Sequence, residues 1–485
     1  MTIKDWLEGL SYKLVQGSLN VEVNEVVYDS RKAAPGAVFV CMKGTKIDSH
    51  DFIPQVTEAG VRVLVTEHPV EAPADVTVVE TENGREALAL LSAARFGYPS
   101  RKLAMVGVTG TKGKTTTTHM IKTILETAGK KTGMIGTNGV YIGEEHFPTV
   151  NTTPESYDLH RYFAKMVEDG CECCVMEVSS QAMKMYRVAG IHFNYGLFTN
   201  ISPDHIGKDE HADFAEYLYY KKQLFHQCDR ALINVDDEHI GEIVKDIPCP
   251  WTGFGLQEGA GFQAENIHYV SEPDFVGVEF DIKGEHQIPV RVSIPGKFNV
   301  YNALAAAAVT LWVGVPADKL QHALEHLKIN GRMEIVYTSE KCCVIVDYAH
   351  NAVSMESLLE TLREYHPKRL VVVFGCGGNR SKDRRYSMGE IGGRMADLSI
   401  ITADKSRFEK VEDIIADIRG SIEKTGGKFI EIPDRREAIA YSITHAQQGD
   451  MIAIIGKGHE DYQEINGVRY PFLDRAVVEE VVKNL

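Results

Sequence analysis

Between Leu103 and Gly129 the chain makes an arrangement that few folds accommodate. An apolar run, Leu103 to Val108, is followed by the loop Gly110-Thr111-Lys112-Gly113-Lys114-Thr115. Beyond it, Met120, Ile121, Ile124 and Leu125 recur at helical spacing until Gly129 stops them. A buried strand, a Gly/Thr/Lys loop and a helix in that order form a phosphate cradle. The glycines let backbone N–H groups turn inward on phosphate oxygens, and the helix N-terminus adds positive potential. Lys114 brings a charge, and Thr115 a hydroxyl suited to Mg²⁺. The loop is shorter than the full Walker pattern, because position 108 is Val rather than Gly. The context nevertheless predicts nucleotide binding through Gly110, Thr111, Lys112, Gly113, Lys114, Thr115 and Thr116. What the nucleotide is used for depends on the rest of the chain.

With 485 residues the chain is long enough for about three domains at ~100–200 residues each. Lys plus Arg is 52 and Asp plus Glu is 68, a net charge of −16. That balance argues against duplex DNA or an anionic membrane as the main partner, while leaving room for a local basic pocket. No apolar stretch is long enough to span a bilayer, and the N-terminal residues lack a signal-like apolar core, so no membrane insertion and a cytoplasmic location are expected. The nine cysteines, an odd number spread widely, imply no disulfide framework. Cys171 and Cys174 make a C-x-x-C, but they lead into the apolar run Val175-Met176 instead of opening a helix, which predicts buried thiols.

Changes of pattern set the expected domains. Residues 1–100 mix short β-rich runs (Val26 to Tyr28, Ala37 to Val40, Val61 to Val65) with a helix over 85–96. Residues 101–333 continue the phosphate loop with strands at 174–178, 195–199 and 231–235, which predicts a parallel α/β sheet. At 275–294, Val276, Val278, Phe280 and Ile282 alternate with Gly277, Glu279 and Asp281, a period of two that predicts antiparallel strands. Residues 334–485 alternate strands at 344–348, 370–374, 399–403 and 452–455 with helices over 354–365, 411–423 and 435–445. That pattern predicts a second doubly wound α/β unit.

Further clusters narrow the reading. They are Tyr28-Asp29-Ser30-Arg31, Asn151-Thr152-Thr153-Pro154-Glu155, Met176-Glu177-Val178-Ser179-Ser180, Phe198-Thr199-Asn200 with Asp204-His205, and Phe298-Asn299 with Asn302. Later come Gly331-Arg332-Met333-Glu334, Asp347-Tyr348-Ala349-His350, Phe374 to Gly378, and Gly456-Lys457-Gly458-His459-Glu460. In order, spacing and domain layout the chain resembles the Mur ligase family over nearly its whole length. Within that family it is similar to the branch that extends UDP-MurNAc-L-Ala-D-Glu by one amino acid. The resemblance implies three α/β domains: an N-terminal uridine-binding domain, a central P-loop ATPase domain with a parallel sheet, and a Rossmann-like C-terminal domain. It implies an ATP-dependent amide ligase of peptidoglycan precursor synthesis, working through an acyl phosphate. The substrates would be a UDP-MurNAc-dipeptide and an amino acid, and a monomer suffices if the domains close over them.

The same resemblance implies roles for individual residues. Lys114 and Thr115 would serve the β/γ-phosphates and one Mg²⁺, with Glu177 on that ion. His205 and a carbamylated lysine would hold a second Mg²⁺. The family spacing selects Lys221, with Lys222 as the register-shifted alternative. Asn302 would face adenine, Arg332 the phosphates and Asp347 the ribose. Ser30 and Arg31 would meet the uridine end, and Thr152, Thr153, Ser179 and Arg187 the muramoyl-peptide. Arg380, Asp404, Lys405, Arg407, Gly456 and Glu460 would form the amino-acid pocket, the arginines clamping carboxylates and Glu460 meeting an ammonium.

The chain departs from the family most at that pocket. Diaminopimelate-adding relatives carry Asp-Asn-Pro-Arg, whereas the chain reads Asp404-Lys405-Ser406-Arg407. Lys405 disfavours the side-chain ammonium of L-Lys by like-charge repulsion, and favours an added carboxylate unless it points to solvent. Diaminopimelate, another amino acid with a distal carboxylate, and L-Lys all remain open, as does a different Mur-fold ligase of the folylpolyglutamate or cyanophycin type. The Tyr-Asp-Ser-Arg motif favours a UDP-sugar substrate over the latter two. Gln181 stands where the family usually has His, and Ile206-Gly207-Lys208 replaces Leu-Asp-Tyr. A phosphate-loop binding protein without ligase activity would have no use for Glu177, His205 and Lys221 together.

Overall fold

In a computed structural model, described for residues 1–44, 47–204, 206–207, 210–272, 275–284 and 287–485, the chain divides into two compact units. The first comprises Met1–Gln263 and Leu304–Leu320, the second Ala264–Ala303 and Gln321–Leu485. Both are α/β, as the sequence predicts.

The first unit begins with a five-stranded sheet in the order Lys13–Gln16, Thr77–Glu80, Val63–Thr66, Ala37–Val40, Glu25–Val27. All neighbours are parallel except the first pair. The helix Gly84–Arg95 covers one face with Ala87, Leu88, Leu91 and Ala94, and Ile53 and Val56 cover the other. Leu90, on the same helix, is only partly buried.

The larger sheet of this unit is built around Ala104–Thr109, flanked in parallel by Cys173–Glu177 and Phe193–Phe198. Thr132–Gly136 lies outside the former, and Cys228–Asn234 and then Trp251–Gly255 outside the latter, all parallel. Val106 and Val108 are buried on both sides, as a strand covered by helices on two faces requires. Cys171, Cys173 and Cys174 are buried thiols. Register fixes the site: Glu177 pairs with Val108, and Phe198 with Thr109. The loops after those strands therefore leave the same carboxyl edge, where ligands of parallel sheets bind.

The second unit contains the antiparallel pair Phe275–Gly284 and Ile288–Val292, in which Val278, Phe280 and Ile282 are buried while Glu279 and Asp281 are not fully so. Its main sheet runs Glu334–Thr338, Cys342–Asp347, Asp450–Ile455, Arg369–Phe374, Leu398–Ile401, Phe429–Glu431, parallel after an antiparallel first pair. Alternate residues of one strand feed opposite cores. Val371 and Val373 pack under Ile439 and Val478, while Leu370, Val372 and Phe374 pack under Leu359 and Ile418. The loops at 348–350, 375–380, 402–407 and 456–460 all follow carboxyl ends of this sheet.

Candidate active site

The phosphate loop runs from the end of Ala104–Thr109 to the helix Lys114–Thr127, whose N-cap is Gly113 at φ +85°. Gly110 has φ +144°, and a Cβ there would lie 2.0 Å from Thr199 Oγ1, so only glycine fits. The segment after Phe193–Phe198 holds the loop in shape. Asn200 O accepts from Thr111 N (2.8 Å), and Asn200 Oδ1 accepts from Lys112 N (2.9 Å). Thr199 Oγ1 donates to Lys112 O (2.7 Å). Thr111 Oγ1 lies 3.1 Å from the Tyr217 hydroxyl. The loop is thus pre-shaped by side chains that a motif search limited to positions 108–115 does not contain.

Two lysines converge on one loop carbonyl. Lys114 Nζ donates to Gly110 O at 2.9 Å and Thr111 O at 3.1 Å, and Lys221 Nζ donates to Gly110 O at 2.7 Å. Lys221 is 2% exposed and lies against the Tyr217 ring at 4.5 Å. Burial, reinforced by the Lys114 charge, holds its ammonium well below the usual lysine range. Lys222 points elsewhere, donating to Glu242 O and Lys245 O. Of the two candidate lysines, Lys221 is therefore the one beside the loop. His205 lies outside the described residues.

Glu177, 1% exposed, ends the neighbouring strand. Its Oε1 accepts from Thr115 Oγ1 (2.9 Å) and Thr137 N (2.8 Å), and Thr137 Oγ1 lies 3.3 Å from Oε2. Thr137 was not singled out from the sequence; its place one residue beyond the strand Thr132–Gly136 is the signal that could have found it. A carboxylate and a hydroxyl in contact beside a phosphate loop form the hard oxygen set that Mg²⁺ takes, so these residues fit the ion.

The same edge gathers most of the expected peptide-site residues. Thr153 Oγ1 donates to Glu177 O (2.8 Å) and accepts from Ser179 N (3.2 Å). Arg187 Nη1 donates to Thr153 O (3.1 Å), and Thr152 Oγ1 is 3.1 Å from Thr137 Oγ1. Glu155 sits 3.7 Å from both Arg187 Nε and Arg85 Nη1, so the structure adds Arg85 to this group. A cavity of about 210 Å³ opens beside them, lined by Lys114, Ser179, Gln181, His211 and Lys221 among others. Ser30 and Arg31 stand on the other sheet, in the turn after Glu25–Val27. There Arg31, 84% exposed, folds back on Asp29 at 2.7 Å.

In the second unit, Asn302 Nδ2 donates to Asn299 Oδ1 (3.0 Å), both buried on the helix Lys297–Trp312. Asp347 accepts from Met333 N and Ala349 N at 2.7 Å each. Burial raises its carboxyl above the usual range, against the opposing Arg332 charge. Arg332 lies 5.1 Å from the Tyr348 ring. Gly331, at φ +68°, meets Gly458 and His459 so closely that a Cβ would lie 2.1 Å from His459 N.

The expected amino-acid pocket is assembled only in part. Arg435 and Asp474, both fully buried, pair at 2.8 Å through two nitrogens. Arg435 also donates to Ala403 O and Ile455 O, which ties together the two loops bearing Asp404 and Gly456. Asp404 is buried deeply enough that its carboxyl pKa is raised above the usual range, and among the described residues its Oδ1 has no hydrogen-bond partner. Arg407, at φ +52°, donates to Gly378 O (3.1 Å). Arg380 is exposed on its loop. Of the two orientations left open for Lys405, the structure has the inward one: it is 13% exposed, and its Nζ is 2.5 Å from Glu460 Oε2. Glu460, expected to stand ready for a substrate ammonium, is already paired.

Comparison with known proteins matches three family models: the Mur ligase family catalytic domain over residues 22–96, the Mur ligase middle domain over 108–310, and the Mur ligase glutamate ligase domain over 331–458. The chain is 41% identical to UDP-N-acetylmuramoyl-L-alanyl-D-glutamate–2,6-diaminopimelate ligase 1 of Clostridium acetobutylicum, over 100% of both chains. It is 38% identical to the similarly named ligase of Caldanaerobacter subterraneus, over 99% of both. A solved UDP-N-acetylmuramoyl-L-alanyl-D-glutamate–2,6-diaminopimelate ligase shares 26% identity and superposes with a TM-score of 0.78, covering 100% of this chain and 99% of that one. The MurF ligase of Thermotoga maritima, solved with ADP, shares the fold at 19% identity and TM-score 0.56, covering 95% and 96%.

Proposed function

The chain belongs to the Mur ligase family, and on that premise we propose that it joins diaminopimelate, or an amino acid of the same distal-carboxylate class, to UDP-MurNAc-L-Ala-D-Glu with consumption of ATP. The observation that carries the reading is the convergence of Lys114, Lys221 and Glu177 on the Gly110–Thr115 loop, with Thr153, Ser179 and Arg187 at the same sheet edge.

A carboxylate is a poor acylating agent at neutral pH. Transfer of the γ-phosphoryl of ATP onto the terminal carboxylate of the dipeptide makes an acyl phosphate; the incoming amine attacks its carbonyl carbon, and phosphate leaves. The first step brings two anions together, so the protein must offset repulsion and align the groups. Loop N–H groups and Lys114 bind the β/γ-phosphates. Thr115 and Glu177 would hold one Mg²⁺, and Lys221 as a carbamate with His205, which lies outside the described residues, would hold a second; such ions would offset negative charge at the transferring phosphoryl. Lys221 takes part as a carbamate: its amine adds to CO₂ and releases one proton, which replaces a buried cation by an oxygen ligand. The depressed ammonium of Lys221 supports that role, because only the neutral amine reacts. Thr152, Thr153, Ser179 and Arg187 orient the dipeptide, and Ser30 and Arg31 the uridine end. Asn302, Arg332 and Asp347 contact the nucleotide. Arg380, Asp404, Arg407 and Gly456 shape the third site. The reading places the reaction in the cytoplasm, and among the described residues no helix is long and apolar enough to cross a membrane.

The test is to incubate the protein with ATP, Mg²⁺, UDP-MurNAc-L-Ala-D-Glu and a panel of amino acids, and to read product masses. A UDP-tripeptide containing diaminopimelate is expected. ATP hydrolysis with no ligated product would overturn the reading.

A further inference from the structure

The loops after Leu398–Ile401 and Asp450–Ile455 bring Lys405 and Glu460 together, 55 residues apart in sequence. Lys405 Nζ lies 2.5 Å from Glu460 Oε2 and 4.6 Å from the Tyr462 ring centre, with side chains 13% and 19% exposed. A short, largely desolvated ion pair capped by an aromatic face is a seat for an ammonium, and the chain fills it with its own. The nearby cation Arg407 is committed less fully. Its contacts are Gly378 O at 3.1 Å and Glu464 at 3.7 Å, neither a bidentate pairing, so guanidinium donors remain for a carboxylate.

Building on the function proposed above, we infer that Lys405 is a specificity-determining residue that occupies the ammonium seat of Glu460. The third substrate is then read through its distal carboxylate and not through a distal ammonium. A straight-chain amino acid with a distal carboxylate and no distal amine, such as 2-aminopimelate, is used about as well as diaminopimelate. L-Lys, with an ammonium at that end and no carboxylate, meets Lys405 and is rejected.

The test compares kcat/KM for meso-diaminopimelate, L-2-aminopimelate and L-Lys, with ATP, Mg²⁺ and UDP-MurNAc-L-Ala-D-Glu, in wild type, Lys405→Asn and Lys405→Met. In wild type the diaminopimelate to aminopimelate ratio is expected within about threefold. Both substitutions free Glu460 to bind the distal ammonium, so the ratio should rise about tenfold or more, through KM of the amino acid with little change in kcat. A merely structural Lys405 would lower all substrates together and leave the ratio unmoved. A wild-type ratio of about tenfold or more overturns the inference even if neither variant folds, and so does an unchanged ratio in the variants. Ligation of any of the three amino acids upholds the reaction itself. Absence of ligation with all three withdraws the reaction and this inference together.

Discussion

His160 offers a sharp physical test of how the first unit is built. It lies on the helix Ser156–Glu168, which follows directly on Thr152, Thr153 and Glu155, and it is fully buried with its ring edge-on to Phe163. Among the described residues neither ring nitrogen has a hydrogen-bond partner. Burial alone pushes its pKa down to about 3 from the ordinary 6.5. The unfolded chain therefore binds a proton below pH 6.5 that the folded chain refuses until about pH 3. Stability is at its full value above 6.5 and is lost as pH falls through that window. Between pH 7 and pH 5 the loss from this one group is about 2 kcal/mol, at ~1.36 kcal/mol per pKa unit, and it reaches about 4 kcal/mol near pH 3. Trp6, Trp251 and Trp312 all belong to the first unit, so tryptophan fluorescence reports its unfolding without a signal from the second. In urea, with m of about 3 kcal/mol/M, the wild-type midpoint should fall by about 0.7 M more between pH 7 and pH 5 than that of His160→Leu. Equal losses in the two proteins would refute the reasoning, because they would mean that native His160 titrates as it does in the unfolded chain.

Three further outcomes follow from the sites. Lys221→Ala should cut ligation by about a hundredfold or more and regain part of it with added formate or acetate, whereas Lys222→Ala stays within about twofold; equal effects would undo the register assignment. Glu177→Gln should raise the Mg²⁺ concentration for half-maximal activity by about tenfold, and an unchanged Mg²⁺ titration would remove Glu177 from the ion. Arg435→Met leaves the buried Asp474 carboxylate unpaired and should cost about 3–5 kcal/mol, read as a loss of thermal stability by circular dichroism, with most of it recovered in Arg435→Met/Asp474→Leu. A double variant no more stable than the single would show that the cost lies in lost packing.

Several strands were legible from their short, mostly apolar runs. Leu370 to Phe374 and Tyr195 to Thr199 lie within two residues of the observed Arg369–Phe374 and Phe193–Phe198. The helix Asp383–Met395 was not read, and its glycines explain why. Gly389, Gly392 and Gly393 look like helix breakers in sequence. In the fold they let this helix lie against Val411–Thr425, where a Cβ on Gly389 would come within 2.6 Å of Ile418 O and one on Gly393 within 2.1 Å of Thr425 Oγ1. The hairpin Tyr462–Ile465 and Val468–Pro471 was also missed, though Asn466-Gly467 is a strong turn signal. At the site, residue types at fixed spacing along one loop were legible, as Gly110 to Thr115 shows. The pairing of Lys405 with Glu460 was not, because it depends on two loops that only the sheet order brings together.

The inward-turned cations differ in how their charge is met. Arg385 is held by Glu409 and Asp417, Arg435 by Asp474, and Lys405 by Glu460; each has its counter-charge within 3 Å. Lys221 and Lys457, equally buried, contact only carbonyl oxygens and aromatic rings among the described residues. Burial depresses both ammonium groups. Leaving a cation desolvated and without a contacting carboxylate costs stability that packing must offset, so a chain carrying −16 overall has no shortage of partners it could have supplied. Lys221 stands beside the phosphate loop, and Lys457 is close enough to Asp404 for their charges to interact. For Lys221, on the function proposed above, either the substrate phosphate supplies the counter-charge or carbamate formation removes the cation altogether. For Lys457 the counter-charge is the field of the Asp404 carboxylate, whose open Oδ1 faces no protein donor among the described residues. The acidic total and the cationic sites are therefore not in conflict: Lys457 is met by the field of a protein carboxylate, and at Lys221, among the described residues, no contacting carboxylate is supplied where the proposed ligand brings the anion.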